Sequence, residues 1–311
     1  MNIYNNLSNY KPTNKSVLTL GTFDGVHLGH LRLLKKIVDD SKKERLESIV
    51  LTFFPHPRMV LQNDSELKLL NTIEEKAELL ENSGIDNLIV HPFDQEFSRL
   101  SAEEFVKEIL VEKLNIKKIV IGYDHRFGRN RTATIEDLIE FGKTYDFEVE
   151  QISAEEINDV TISSTKIRNS LKNGDIKQAN KFLGYNYTLS GIVVSGKKIG
   201  RTIGFPTANL KINEDYKLIP KDGVYIVSSV INNTTVYGMM NIGKNPTFSE
   251  NENSLEVYFF NLNKDLYGLS LTISFIDRIR DEIKFKSIEE LKNQIETDKK
   301  FSLSFLKIKN E

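Results

Sequence analysis

The fold of this chain is decided by residues 17–30, which read VLTLGTFDGVHLGH. A short apolar run leads into a turn with Gly21 and Gly25, and a helical pattern then begins. Glycine lets a backbone approach a ligand closely, and N–H groups at a helix start can hold phosphate oxygens. His27 and His30 share one helix face, where two imidazoles can hydrogen-bond phosphate, more strongly if protonated. The stretch therefore predicts a phosphate site after a buried strand.

Two other interpretations of this histidine pair stay open. Two histidines near a helix start are often ordinary surface residues. A zinc site is the weaker alternative, because metal-binding pairs on helices usually lie four residues apart and no cysteine or acidic cluster nearby completes a tetrahedron. The glycine turn directly after an apolar strand favours the phosphate site over both.

Short apolar runs alternate with helical patterns through the first half of the chain. Two of the helices begin with capping patterns, Thr72 with Glu75 and Ser101 with Glu104. Strands and helices in regular alternation predict a parallel sheet with crossover helices, and ligands of such sheets bind at the carboxyl ends of the strands. The predicted strands are Val17–Leu20, Ile49–Phe54, Asn87–Val90, Lys118–Ile121 and Phe147–Ile152, and the predicted helices lie near 26–41, 73–83, 101–113 and 134–145.

The pattern changes after about residue 184 to β-rich runs separated by turn residues. Such runs favour an antiparallel barrel or sandwich. A last helix is predicted from the Ser287–Glu290 capping pattern, with Ile288, Leu291 and Ile295 on one face. We expect two domains, 1–183 and 184–311, with a junction within Ile176–Tyr185. The predicted strands are Tyr187–Val194, Val224–Val230, Thr235–Met240, Leu255–Phe260 and Leu269–Ile276.

Composition narrows the class of protein. The 311 residues are 39% hydrophobic and 28% charged, with a net charge of −2, which is typical of a soluble globular protein and does not suggest nucleic acid or an anionic membrane as the main partner. Cysteine is absent, which excludes disulfides, thiolate metal sites and cysteine nucleophiles. Without an apolar leader or a spanning run, we expect a soluble cytoplasmic protein, acting as a monomer or weak homo-oligomer.

Two further stretches carry candidate ligand groups. Ser163, Ser164 and Thr165 are three hydroxyls at a helix start, with Arg168 one turn later, and they either bind phosphate or form an ordinary helix cap. Residues 196–209 form a glycine-rich loop in which Thr207 and Asn209 point to one side of an extended segment. A hydroxyl and an amide oxygen suit Mg²⁺ beside ATP, although polar residues that face water would give the same pattern.

The first half resembles the nucleotidyltransferases that carry an HxGH signature, and more closely the adenylyltransferase module of bacterial bifunctional riboflavin kinase/FAD synthetases. The resemblance rests on ordered motifs at 21–30, 51–58, 121–128 and 162–168. It implies a Rossmann-like domain in which His27 and His30 stabilise the transferring α-phosphate of ATP. The other ATP-binding residues that it implies are Gly21, Thr22, Phe23, Asp24, Gly25, Asp124, Ser163, Ser164, Thr165 and Arg168.

The second half resembles the riboflavin kinases, whose PTAN-type signature is present at 206–209. The resemblance implies a β-barrel with Glu256 as the general base for riboflavin phosphorylation, and Mg²⁺ on Thr207 and Asn209. The implied ATP-binding residues are Gly196, Gly200, Arg201, Gly204, Pro206, Thr207 and Asn209. The implied flavin-binding residues are Gly223, Tyr225, Glu256, Arg278 and Arg280. Departures from the family pattern occur at Thr22, His125, Ser195, Asn245, Tyr258 and Asn261.

The leading hypothesis is an enzyme that phosphorylates riboflavin with ATP to FMN and then adenylylates FMN to FAD. Three alternatives remain: one active half only, a flavin-binding protein without turnover, and a different adenylyl- or cytidylyltransferase in the first half. Intact His27, His30, Asn209 and Glu256 favour the enzyme with two activities.

Overall fold

A computed structural model describes residues 1–62, 64, 66–122, 126–129, 132–153, 162–196, 200, 203–244 and 253–308. The chain forms two compact units, Met1–Ser164 and Thr165–Glu311. Among the described residues, no helix is both long and apolar enough to cross a membrane.

The first unit contains a six-stranded sheet with the order β1-β4-β3-β2-β5-β6. All neighbouring strands are parallel, which confirms the predicted α/β class. The edge strand β1 was not predicted, because only three residues pair there. The strands are β1 (Asn2–Tyr4), β2 (Ser16–Leu20), β3 (Glu47–Phe54), β4 (Asn87–Pro92), β5 (Ile116–Gly122) and β6 (Glu148–Ile152).

Helices cover both faces of this sheet. Successive strand residues point to opposite faces, so Val17 and Leu18 enter different cores. Strands buried on both sides are mainly apolar on both faces, which is why the predicted runs do not alternate; the few polar residues among them, such as Thr19 and Thr52, are small and buried. The helices are α1 (Leu28–Glu44), α2 (Pro57–Leu61), α3 (Ile73–Asn82), α4 (Ala102–Glu104), which runs on into a π-helical stretch Phe105–Lys113, and α5 (Ile135–Tyr145). The predicted capping boxes begin α3 and α4.

The second unit is a closed antiparallel barrel with the order β10-β11-β8-β7-β12-β9. The barrel, rather than a sandwich, is therefore the correct alternative. Its interior is filled by aromatic rings, including the fully buried Tyr187, Tyr225 and Phe275. The strands are β7 (Thr188–Val194), β8 (Ala208–Lys211), β9 (Gly223–Ile231), β10 (Thr234–Lys244), β11 (Asn253–Phe259) and β12 (Ser270–Arg280).

The barrel is accompanied by the helices α6 (Ser164–Asn173), α7 (Ile176–Leu183) and α8 (Ile288–Leu306). The α7 helix lies against the barrel, since the Asn180 side chain donates to the carbonyl of Phe275 at 2.9 Å. The segment predicted as the junction thus contains α7, and residues 165–183 lie in the second compact unit. Ser287 caps α8 as predicted, and its side chain accepts from the N–H of Glu290.

Candidate active sites

The turn between β2 and α1 has an unusual backbone. Phe23, Gly25 and Val26 have φ angles of 46°, 87° and 32°. Glycine adopts such angles without steric cost, but a β-branched residue at positive φ is strained. Strain of this kind persists only where the surrounding structure fixes it.

Four hydrogen bonds fix this turn. The Thr22 carbonyl accepts from Lys76 Nζ at 2.7 Å and from Thr52 Oγ1 at 3.2 Å. The Asp24 carboxylate accepts from the N–H of Leu70 at 2.8 Å, and the Asp24 carbonyl accepts from Ser164 Oγ at 2.9 Å. Sequence-distant elements therefore hold the turn from several sides.

His27 and His30 stand side by side, as predicted from their spacing. Their rings are stacked with centroids 3.7 Å apart and planes 15° apart. His27 caps α1, since its Nδ1 accepts from the N–H of His30 at 3.4 Å. Nδ1 of His30 is buried and has no hydrogen-bond partner among the described residues.

Burial controls the charge of this cluster. It lowers the pKa of His27 to about 4, and it lowers the pKa of His30 well below the usual histidine range. The neighbouring charges of His27 and Lys76 lower the His30 pKa further. Burial also lowers the pKa of Lys76 to about 8. At neutral pH both imidazoles are uncharged, so each is a neutral hydrogen-bond donor in the protein alone.

The hydroxyl stretch divides between the two compact units. Ser163 and Ser164 end the first unit, where Ser164 contacts the turn as described above. Thr165 and Arg168 belong to the second unit, and Arg168 Nη2 lies 3.4 Å from Thr165 Oγ1. Asp124, also predicted to bind ATP, lies outside the described residues. The phosphate-binding roles of these residues stay predictions.

In the barrel, Glu256 lies in a row of polar side chains across three strands. On β11 it pairs with Asn209 of β8 and with Asn241 of β10. Its carboxylate accepts from Thr207 Oγ1 at 3.1 Å and from Ser254 Oγ at 3.1 Å. The structure therefore brings together the three residues predicted to hold Mg²⁺ or a proton.

The glycines of the loop before β8 lie close to this row. A Cβ at Gly196 would overlap the Asn209 amide, and one at Gly200 would overlap the carbonyl of Phe205. The loop backbone can therefore lie against Thr207 and Asn209 only because these positions are glycine. Gly204 and Pro206 are exposed, and Arg201 lies outside the described residues.

Glu256 opens onto a cavity of about 330 Å³. This volume is within the range of small-molecule sites. Thr207 and Asn241 contribute polar groups to the wall, while Phe205 and Phe285 contribute aromatic surface. From the terminal helix, Leu291 and Ile295 face the cavity, whereas Ile288 on the predicted apolar face is 65% exposed.

The two arginines predicted to bind flavin have different positions. Arg280 lines the cavity and forms a two-pronged pair with Asp298 of α8, with Nε and Nη2 2.9 Å and 2.8 Å from Oδ2. Arg278 instead hydrogen-bonds the Tyr225 hydroxyl at 3.3 Å and the Asp222 carbonyl at 2.8 Å. Gly223 leaves room for this guanidinium, because a Cβ there would lie 2.7 Å from Arg278 Nη2. Among the described residues, Arg278, Tyr225 and Gly223 do not line the cavity.

Three residues of these sites were not identified from the sequence: Lys76, Asn241 and Asp298. Lys76 carried a signal, because it falls on the buried face of α3 with Ala77 and Leu80, where a charged residue is unexpected. Asn241 falls in the segment Asn241–Gly243, which resembles the riboflavin kinases, but its position beside Glu256 depends on strand register. Asp298 carried no signal, because its role depends on a contact between distant segments.

Comparison with known proteins identifies a family for each half. The family described as FAD synthetase matches residues 10–166, and the family described as riboflavin kinase matches residues 183–306. The compact units divide instead between 164 and 165. The predicted boundary at 183/184 stays a prediction.

Curated relatives match the chain over almost its whole length. The bifunctional riboflavin kinase/FMN adenylyltransferase of Listeria monocytogenes is 40% identical over 93% of this chain and 92% of the relative. The proteins of the same name from Bacillus subtilis and Escherichia coli are 39% and 35% identical, over 94% and 92% of this chain and 92% and 91% of their own lengths.

A crystal structure described as a macrolide-efflux protein from Streptococcus pneumoniae has a similar fold. It is 36% identical to this chain, with a TM-score of 0.86, and the match covers 96% of this chain and 97% of that one. Together, the two matched families, the near-complete relatives and the site in each unit lead to one assignment: the chain belongs to the bifunctional riboflavin kinase/FMN adenylyltransferase family.

Proposed function

We propose that this protein makes FMN from riboflavin and ATP in its second unit, and FAD from FMN and ATP in its first. The observation that carries the proposal is that each unit has its own site. The first has a fixed turn with paired imidazoles, and the second has a carboxylate at the wall of a cavity beside a glycine loop. A flavin-binding protein without turnover would need neither the imidazole pair nor the carboxylate.

In the kinase reaction, the ribityl 5′-hydroxyl attacks the γ-phosphorus of ATP. The bond to the ADP oxygen breaks, and the proton of the hydroxyl must leave. Glu256 is the candidate acceptor, because its carboxylate lines the cavity and hydrogen bonds from Thr207 and Ser254 fix its orientation. Arg280 and Phe285 would border the flavin in the same cavity.

In the adenylylation reaction, a phosphate oxygen of FMN attacks the α-phosphorus of ATP. A new P–O–P bond forms and pyrophosphate leaves, without a covalent enzyme intermediate. The attacking phosphate carries no proton that must be removed, so catalysis depends on positioning and on stabilising negative charge. His27 and His30 would donate hydrogen bonds to the phosphate oxygens, and an arriving phosphate would raise their pKa values.

The residues present suit Mg²⁺ at the kinase site. The Thr207 hydroxyl and the Asn209 amide supply hard oxygen ligands, and the glycine loop lies directly against them. When bound with ATP, Mg²⁺ would neutralise phosphate charge and stabilise the leaving ADP. We also propose that the protein works in the cytoplasm, without nucleic acid or membrane. We also propose that it acts as a monomer or a weak homo-oligomer.

The test is a chromatographic time course with riboflavin, ATP and Mg²⁺, under air and again with reductant. We expect riboflavin to be converted to FMN and then to FAD. FMN that accumulates without FAD under both conditions would contradict the assignment of the first unit. No conversion under either condition would overturn both activities and favour a binding protein.

A further inference from the structure

Lys76 is a buried cation beneath the turn that presents the imidazole pair. The residue is 4% exposed, although it sits in the first turn of a surface helix. Its Nζ lies 2.7 Å from the Thr22 carbonyl and 3.5 Å from Thr52 Oγ1. Burial of a charged group costs free energy unless the group is paired, so such a residue requires an explanation.

The base of α3 fixes where this ammonium lies. Thr72 and Glu75 form a reciprocal capping box, with N–H to side-chain distances of 3.0 and 3.1 Å. This box sets the first helical turn, and with it the direction of the adjacent Lys76 side chain. The negative charge of Asp24 acts on the ammonium from the turn itself.

The turn requires support of this kind. Phe23 and Val26 hold positive φ angles that side chains with a Cβ rarely adopt. Lys76 and Thr52 both donate to the carbonyl of Thr22, which is the residue just before this strained segment. Loss of the stronger, charged donor would let the backbone relax towards ordinary φ angles and would move His27 and His30 with it.

We propose that Lys76 is a positioning residue for FMN adenylylation: its ammonium holds the Thr22 carbonyl so that the strained turn presents His27 and His30 to the phosphates. This inference rests on the proposed function of the first unit. Lys76 is too buried to contact substrate, so its effect reaches the reaction through the turn. The titratable neighbours that act on His30 are His27, from the start of α1, and Lys76, from α3.

The experiment compares Lys76→Met with wild type in the full-length protein. Methionine keeps the length and packing of the side chain but removes the donor and the charge. We expect kcat for FAD formation from supplied FMN to fall about 100-fold, because small displacements of catalytic groups have effects of this size. The KM values should change little, and Lys76→Arg should restore part of the rate. Riboflavin kinase activity of the same protein should be unchanged.

A second measurement separates positioning from simple stability. Lys118→Met removes another buried lysine of the same unit, which is paired with Asp40 at 2.6 Å. This control should lower the melting temperature without lowering kcat. In Lys76→Met, histidine titration by NMR should show a raised His30 pKa, since a neighbouring positive charge is gone. An unchanged kcat in folded Lys76→Met would overturn the inference.

A third variant covers the case in which Lys76→Met does not fold. Thr52→Val removes the second donor to the Thr22 carbonyl, and it should lower kcat in a folded protein by less than Lys76→Met. A folded Thr52→Val protein with wild-type kcat would then reject the role of this carbonyl. If wild type itself makes no FAD from FMN, the proposed function of the first unit is wrong, and the proposed role of Lys76 is wrong with it. If wild type makes FAD, the variants test the role of Lys76 alone.

Discussion

The turn before α1 and the polar row of the barrel handle protons in different ways. In the first unit, His27 and Lys76 are buried and His30 is half-buried, and desolvation lowers the pKa of each. In the second, Glu256 is half-buried at the wall of a cavity, with two hydroxyls on its carboxylate. Adenylyl transfer from ATP to FMN has no proton to remove, whereas phosphorylation of a hydroxyl does. In the proposed roles, neutral imidazoles position the phosphates, whereas the base opens onto the cavity that its substrate enters.

The largest expected effect comes from replacing Glu256, the proposed base in the polar row of the barrel. Glu256→Gln keeps the shape of the side chain but cannot accept a proton, so FMN formation should fall by about 100- to 10,000-fold. FAD formation from supplied FMN should persist, which serves as the control for folding. Ser254→Ala, which removes only one hydrogen bond to the carboxylate, should have a smaller effect. A wild-type kinase rate in Glu256→Gln would reject the base assignment.

Removal of one imidazole tests the proposed role of the histidine pair in the first unit. His30→Ala should lower FAD formation by about 100- to 1,000-fold, the usual loss when a donor to a developing charge is removed. Because the kinase site is separate, FMN should accumulate from riboflavin in this variant. The ratio of FMN to FAD over time is the measurement, and a normal rate of FAD formation would show that His30 does not act on phosphate.

The terminal helix of the barrel provides a third test. Asp298 is 3% exposed and paired with Arg280, so Asp298→Asn would leave a guanidinium without its counter-charge. Breaking a buried pair on one side costs about 3 kcal/mol or more. We expect a lower melting temperature of the second unit and a higher KM for riboflavin, with FAD formation from FMN unaffected. An Asp298→Asn protein with the wild-type KM for riboflavin would mean that α8 does not shape the cavity.

The smallest effect concerns stability in acid. The pKa of His27 is about 4 in the folded protein and near 6.5 when exposed, so the unfolded chain binds protons first as the pH falls. The contribution of His27 to stability is complete above the exposed value and is lost below it, by about 2.5 kcal/mol near pH 4.5. The double variant His27→Asn/His30→Asn removes both titrations, and asparagine still caps a helix. Its melting temperature should therefore depend less on pH than that of wild type.

Much of the fold follows from local pattern, because both compact units bury regular strands and helices. The doubly covered sheet is visible in the largely apolar runs around Val17 and Ile49, which show no alternation. The strand β8 was predicted only as an extended segment around Thr207 and Asn209 and not as a strand of the sheet, since Ala208–Lys211 is short and half of its residues are polar. The choice of a barrel over a sandwich depends on pairs between distant strands, such as β7 with β12, which no local pattern reveals.

The candidate sites also contain features that local sequence predicts and features that only tertiary packing determines. The spacing of His27 and His30 predicts that they lie side by side, but not that their rings stack, because His27 is the extended N-cap of α1 and its ring position depends on the turn. The pairing of Arg280 with Asp298 could not be predicted, because it joins segments 18 residues apart through tertiary packing. The contact of Lys76 with the turn could not be predicted either, because its ammonium donates to the carbonyl of Thr22, 54 residues earlier in the chain and next to a strained backbone.

The bond between Arg280 and Asp298 also sets an order of events during synthesis. Asp298 follows every strand of the barrel along the chain, and the wall of the cavity that α8 supplies comes with it. A ribosome releases the chain from its N-terminus, and domains generally fold as units as they emerge. The sheet of the first unit can therefore be complete while the barrel is still being translated. The cavity beside Glu256 closes only after α8 has left the exit tunnel and docked.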